Sequence, residues 1–201
     1  MRLSRIGVVS VVAWLSSGCS VLAPQPDLSR YFVLTPVVET PAVGAGLRTD
    51  GPRPTLGVGP VVLPAYLDRL QIVRRSGENQ IVLSSTGVWA EPLERNVQGV
   101  VSANLSRLLE GTEIVPYPSF TAIGIDRQIS IAILRFDADE HDAVSLDARW
   151  TTIRGSADKA PTDAREFHWV QQATDGSTAS IVAAMSESVG ALSREIAGSL
   201  R

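Results

Sequence analysis

The apolar positions of the chain follow two rhythms. Over residues 92–109, Leu93, Val97, Val100, Val101, Leu105 and Leu108 recur at spacings of three and four, which gathers them on one face of an amphipathic helix. Pro92 suits the first helical position, where an amide proton would have no partner, and Gly111 suits the stop. Ile181, Met185, Val189, Leu192 and Ile196 predict a second helix over about 177–200. Elsewhere the period is two, or the apolar runs are short. Residues 30–35 and 55–63 read as strands, 71–75 and 79–84 as a hairpin around Ser76-Gly77-Glu78, and 113–115 as a short extended segment. Ile129, Ile131 and Ile133 alternate before the phase slips to Leu134 and Phe136, as in a strand that carries a bulge. Val144, Leu146, Ala148 and Trp150 resume the alternation after the polar turn 137–142, and 166–173 supplies one more strand. Residues 64–70 predict a turn or a single helical turn. The stretch 36–54, with Pro36, Pro41, Pro52 and Pro54 and three glycines, predicts a long surface loop.

Two helices among about seven strands with mostly short connections predict an α+β fold: one domain over 30–201, in which the helices cover one face of a mostly antiparallel sheet, with parallel pairs left open where the first helix crosses over. At 201 residues and 44% apolar composition the chain can build one full core. A formal charge of −3, with the two signs mixed, lacks the basic surface of a nucleic-acid binder. A single cysteine excludes an internal disulfide framework and a multi-cysteine metal site.

That cysteine has informative neighbours. Arg2 and Arg5 precede an uncharged run, residues 6–15, which leads to Ser16, Ser17, Gly18 and Cys19, the three-part layout of an export signal. As a helix the run covers about 15 Å, half of the ~30 Å hydrocarbon thickness, too short to span a bilayer. Gly18-Cys19 resembles the end of the lipobox of a bacterial lipoprotein precursor, and the resemblance implies that residues 1–18 are a removable signal peptide of the lipoprotein type, with Cys19 acylated. Ser16 stands where a leucine is usual, and Leu15 lies one place early. Loss of Arg2 and Arg5 would take the charge from −3 to −5, so the mature chain has no electrostatic attraction to anionic lipid. Residues 19–29, with Pro24 and Pro26, read as the lipidated cysteine and an extended tether.

The search for reaction chemistry finds little. There is no nucleophile elbow, and Gly57 and Gly59 are followed at once by Pro60 rather than by a helix, which argues against a phosphate cradle. The two histidines, His141 and His168, fall in a turn and a strand without ligand spacing. The run Asp137, Asp139, Glu140, His141, Asp142 is rich in carboxylates but has neither the glycine nor the distal glutamate of a calcium loop. No catalytic residue, metal site or cofactor is expected. The segment 86–95 stands out because Trp89 and Glu91 directly precede a helix-opening proline. Trp89 can pack over the helix start while Glu91 favours the positive end of the helix dipole, or the pair can form a partner contact.

Several blocks in order, Gly18-Cys19, Tyr31-Phe32-Val33-Leu34, Pro64-Ala65-Tyr66-Leu67-Asp68-Arg69 with Gln71-Ile72-Val73, Trp89-Ala90-Glu91-Pro92-Leu93, Arg135-Phe136-Asp137 and Leu146-Asp147-Ala148-Arg149-Trp150, resemble the ABC-type transport auxiliary lipoproteins, the PqiC-like proteins among them. The resemblance implies a non-enzymatic lipoprotein on the periplasmic face of the outer membrane, with retention at the inner membrane left open. It implies docking to an MCE-domain protein and its ABC permease and ATPase, and it leaves room for a homo-oligomeric ring and for phospholipid as a ligand. Tyr66, Asp68, Arg69, Trp89 and Glu91 are the residues it suggests for partner contact. A lipid-binding chaperone and, further off, an envelope hydrolase are the other readings.

Overall fold

The structure is a computed structural model that describes residues 27–37, 52–118, 124–155 and 161–201. The expected signal segment 1–18, Cys19, the tether as far as residue 26 and most of the 36–54 loop lie outside the described residues. The elements run β1 (Arg30–Phe32), β2 (Thr55–Val62), β3 (Gln71–Arg75), β4 (Ile81–Trp89), α1 (Leu93–Leu108), β5 (Glu113–Pro116), β6 (Arg127–Ala138), β7 (Ala143–Arg154), β8 (Pro161–Gln172) and α2 (Thr178–Leu200).

All eight strands form one sheet centred on β6. Along one side of β6 lies β7, followed by β8 at the edge. The other side is shared: its first half pairs with β2, which continues to β5, and its end meets β3, which continues to β4 and β1. This corrects the expectation of a mostly antiparallel sheet. Four pairings, β1–β4, β2–β5, β2–β6 and β3–β6, are parallel, and only β3–β4, β6–β7 and β7–β8 are antiparallel. The antiparallel pairs are the sequence-adjacent hairpins. The parallel ones join strands separated by α1 or by long connections, which return the chain to the end of the sheet it left.

Both helices pack on the sheet and on each other: α1 against β2 and β5, α2 against β7 and β8. Val97, Val101 and Leu105 of α1 and Met185, Val189, Leu192 and Ile196 of α2 meet Val58, Ile129, Ile131, Phe136, Leu146 and Trp150 in the core. The side chain of Ser177 caps α2 by accepting from the amide of Ser180. This helix is buried around most of its girth. Its interior serines satisfy themselves locally, Ser186, Ser188 and Ser193 donating to the carbonyls of Val182, Ala184 and Val189. The segment 33–37 crosses α1 and α2. The amide of Leu34 donates to Asn96 Oδ1, that of Thr35 to Ser186 Oγ at 3.1 Å, and Val37 lies directly over Gly190. The bulge expected near Leu134 is present. Ile133 faces Ala148 and Arg135 faces Asp147, leaving Leu134 as the extra residue.

Candidate functional site

The face of the sheet away from the helices carries the polar half of each alternation. Past the bulge, Phe136 and Ala138 turn into the core, which sends Arg135 and Asp137 to this other face. Asp137 is nonetheless completely buried, because three side chains close over it. Arg75 from the end of β3 grips it bidentately, Nε to Oδ1 at 3.1 Å and Nη2 to Oδ2 at 3.0 Å. Arg135 donates from Nε to Oδ1 at 3.0 Å, and the Tyr66 hydroxyl donates to Oδ2 at 3.0 Å. Four charge-assisted hydrogen bonds fill the carboxylate's acceptor capacity, and the two guanidiniums leave the group with a net positive charge. Burial, and then the Asp137 charge, push the Tyr66 phenol up to about 12. The hydrogen bond to Asp137 holds the Arg75 guanidinium above its usual range.

A saturated, buried carboxylate is no general base. Its effect is to fasten the turn between β2 and β3. Tyr66 is held from above, Leu67 is buried beside it, and the amide of Trp89 donates to Leu70 O at 2.7 Å. Between these fixed points Asp68 and Arg69 stand exposed at the tip. The two sequence blocks around Tyr66 and Asp137, 71 residues apart, thus meet in one structure.

Trp89 and Glu91 are placed differently. Trp89 is buried, 3% exposed, at the end of β4, where it faces Phe32 across the β1 pairing. Glu91 is exposed and accepts from Asn96 Nδ2 at 2.7 Å, which orients the Asn96 carbonyl oxygen toward the amide of Leu34. The block therefore organises the capture of β1, and of its two candidates only Glu91 reaches the surface. Cys19 lies outside the described residues. Sequence reasoning placed Asp137 in a turn and missed Arg75 and Arg135. The alternation of Arg135 and Asp137 with Phe136 and Ala138 was the available signal.

Two other acidic residues of the 137–142 run have partners of their own. Asp139 Oδ1 accepts from the amides of His141 and Ala143, and Asp142 pairs with Arg74. Among the described residues no group of three or more His, Cys, Asp or Glu side chains is placed to hold a metal ion. His168 engages Asp147 through Nδ1 on the exposed side of β8, with no serine hydroxyl among its hydrogen-bond partners in the described residues. The layer between helices and sheet is filled by Val97, Val101, Leu105, Ile129, Phe136 and Leu146. No described helix is long and apolar enough to cross a membrane.

This mixed sheet with two helices is a fold already seen in crystals. A protein from Xanthomonas campestris superposes with a TM-score of 0.68 at 17% identity, over 84% of this chain and 93% of that one. An uncharacterised protein superposes at 0.70 with 20% identity, over 86% and 99%. A family model for the ABC-type transport auxiliary lipoprotein component matches residues 34–197, so the chain belongs to that family. Within reach of its sequence is the intermembrane transport lipoprotein PqiC of Escherichia coli strain K12, 22% identical over 143 residues that cover 71% of each chain. PqiC of Shigella flexneri matches to the same extent.

Proposed function

We propose that this lipoprotein is a docking subunit of an intermembrane transport system, held to the periplasmic face of the outer membrane by acyl chains on Cys19 and receiving an MCE-domain protein served by an ABC permease and ATPase. The family match over 34–197, together with relatives named for intermembrane transport, carries the reading. The rigidly fastened tip at Asp68 and Arg69 is the contact surface it nominates, with Tyr66 as the residue that holds the tip rather than one that touches the partner. A protein of this kind works by shape and bond-free contact, in keeping with a saturated Asp137 and the engaged acidic turn.

Photo-crosslinking in the native host tests it. A photoreactive residue at Arg69 is expected to capture an MCE-domain protein, and one at Gly77, in the β3–β4 turn, is not. Capture of no MCE-type protein from intact cells overturns the docking role.

A further inference from the structure

We propose that the edge formed by β1 and the first half of β4 rests in the headgroup region of the bilayer that holds the chain, so that the body is oriented on the membrane rather than swinging on its tether. The proposal rests on the reading that Cys19 is acylated.

Of the ten large apolar side chains that stay exposed among the described residues, five, Leu28 (69%), Tyr31 (68%), Val33 (44%), Val82 (45%) and Leu83 (40%), belong to this one edge, and the other five are divided among β2, the β2–β3 turn, β6 and β8. Parallel pairing of Tyr31 with Val88 means that the chain, traced back from β1, heads toward the start of β4, where Val82 and Leu83 are exposed. Tyr31 and Val33, two residues apart, share a side, and a tyrosine whose hydroxyl has no hydrogen-bond partner among the described residues is suited to a boundary between lipid and water. Asp27 and Arg30 cancel within the patch, and the mature chain is anionic, so attraction to anionic lipid does not hold it there. The contact is apolar.

The length of chain beyond the described residues selects the occupant. Eight peptide units join Cys19 to Asp27, a reach of at most ~28 Å when fully extended. The first described residues are thus kept within that distance of the bilayer, and they are among the residues that carry the apolar patch. A partner protein or a second copy would need to compete with a surface that the tether presents continuously. The other large exposed aromatic among the described residues, Trp169, sits on β8 at the opposite edge, five strand spacings or about 24 Å away.

The test uses protein extracted with its anchor from the membranes of a Gram-negative host and reconstituted into phosphatidylethanolamine–phosphatidylglycerol vesicles. Tyr31→Cys, Val82→Cys and Val170→Cys variants each carry a bimane label, and quenching by nitroxide-bearing lipid is read. Quenching about threefold stronger at 31 and 82 than at 170, unchanged between about 0.1 and 0.5 M salt, is the expected result. Equal quenching at the three positions overturns the proposal, as does shielding at 31 that appears in detergent and grows with protein concentration, the mark of a second copy. Intact mass of the same preparation separates the two layers of the inference. Acylated protein with equal quenching refutes the oriented edge and leaves the anchor standing, whereas unacylated protein refutes the anchor and the proposal with it.

Discussion

Replacing Asp137 by asparagine keeps the shape of the side chain and removes its charge. Oδ2, which accepts from Tyr66 and Arg75, becomes an amide group or leaves one facing the second guanidinium, so at least two of the four hydrogen bonds lose their acceptor. Rupturing a buried ion pair costs about 3–5 kcal/mol. Here Arg75 and Arg135 keep 21% and 32% of their side-chain surface exposed and can rehydrate in part, which lowers the expectation to about 2–3 kcal/mol. With a urea m-value of about 1–3 kcal/mol per molar, the unfolding midpoint followed by circular dichroism drops by about 0.7–3 M. Tyr66→Phe, which removes one charge-assisted hydrogen bond and leaves the other three, costs less, about 1.5 kcal/mol. Because the cluster fastens the turn that displays Arg69, Asp137→Asn also speeds tryptic cleavage after Arg69 under native conditions. A loss below about 0.5 kcal/mol for Asp137→Asn, or an equal loss for Tyr66→Phe, refutes the view that this carboxylate is the centre of the anchorage.

Gly190→Ala places a methyl against Val37, a branched side chain with little room to yield, and is expected to lower stability by about 1–3 kcal/mol despite the better helix propensity of alanine. Gly99→Ala in α1 meets nothing and gains up to about 1 kcal/mol; thermal unfolding of the two variants reads the opposite signs. Ser177→Ala removes the cap of α2 and costs about 1 kcal/mol by urea denaturation. Absorbance of tyrosinate during alkaline titration shows one of the three tyrosines ionising near 12, and Tyr66→Phe abolishes that step. The folded chain holds this proton more tightly than the unfolded one, so the contribution of Tyr66 to stability is complete below about pH 10 and is lost as pH rises through about 12.

Both helices and the slip at Leu134 were legible because each is written locally, in a period of 3.6 or in a break of a period of two. The strand partners were not. Val58 and Ile129 lie opposite each other in β2 and β6, yet no feature of either stretch names the other across 71 residues. Alternation fixes which side chains face inward; it is silent about which edge meets which, so parallel pairing across the first helix could be left open but its strands could not be named, and the extent of parallel pairing escaped. The second strand of the β3–β4 hairpin, expected to end at residue 84, continues through Trp89 because Val88 and Trp89 are themselves strand formers with β1 beside them. β8 likewise starts at Pro161, five residues before its expected beginning, extending the ladder with β7. At the site, Tyr66 and Asp137 were each visible as parts of separate blocks. Their union depends on the β3–β6 contact, at which Arg74 faces Ala138, a pairing that only the folded sheet supplies.

The way β1 is held also fixes how the molecule bears load. A pull on the residues before Asp27 runs along the axis of a strand whose hydrogen bonds to β4 lie across the direction of force, so they must fail together in shear instead of unzipping one at a time. Behind that ladder the strain passes through Leu34 to Asn96 on one helix and through Thr35 to Ser186 on the other. Traction on the amino-terminal end is thereby shared between the sheet and both helices before any of them has to give way.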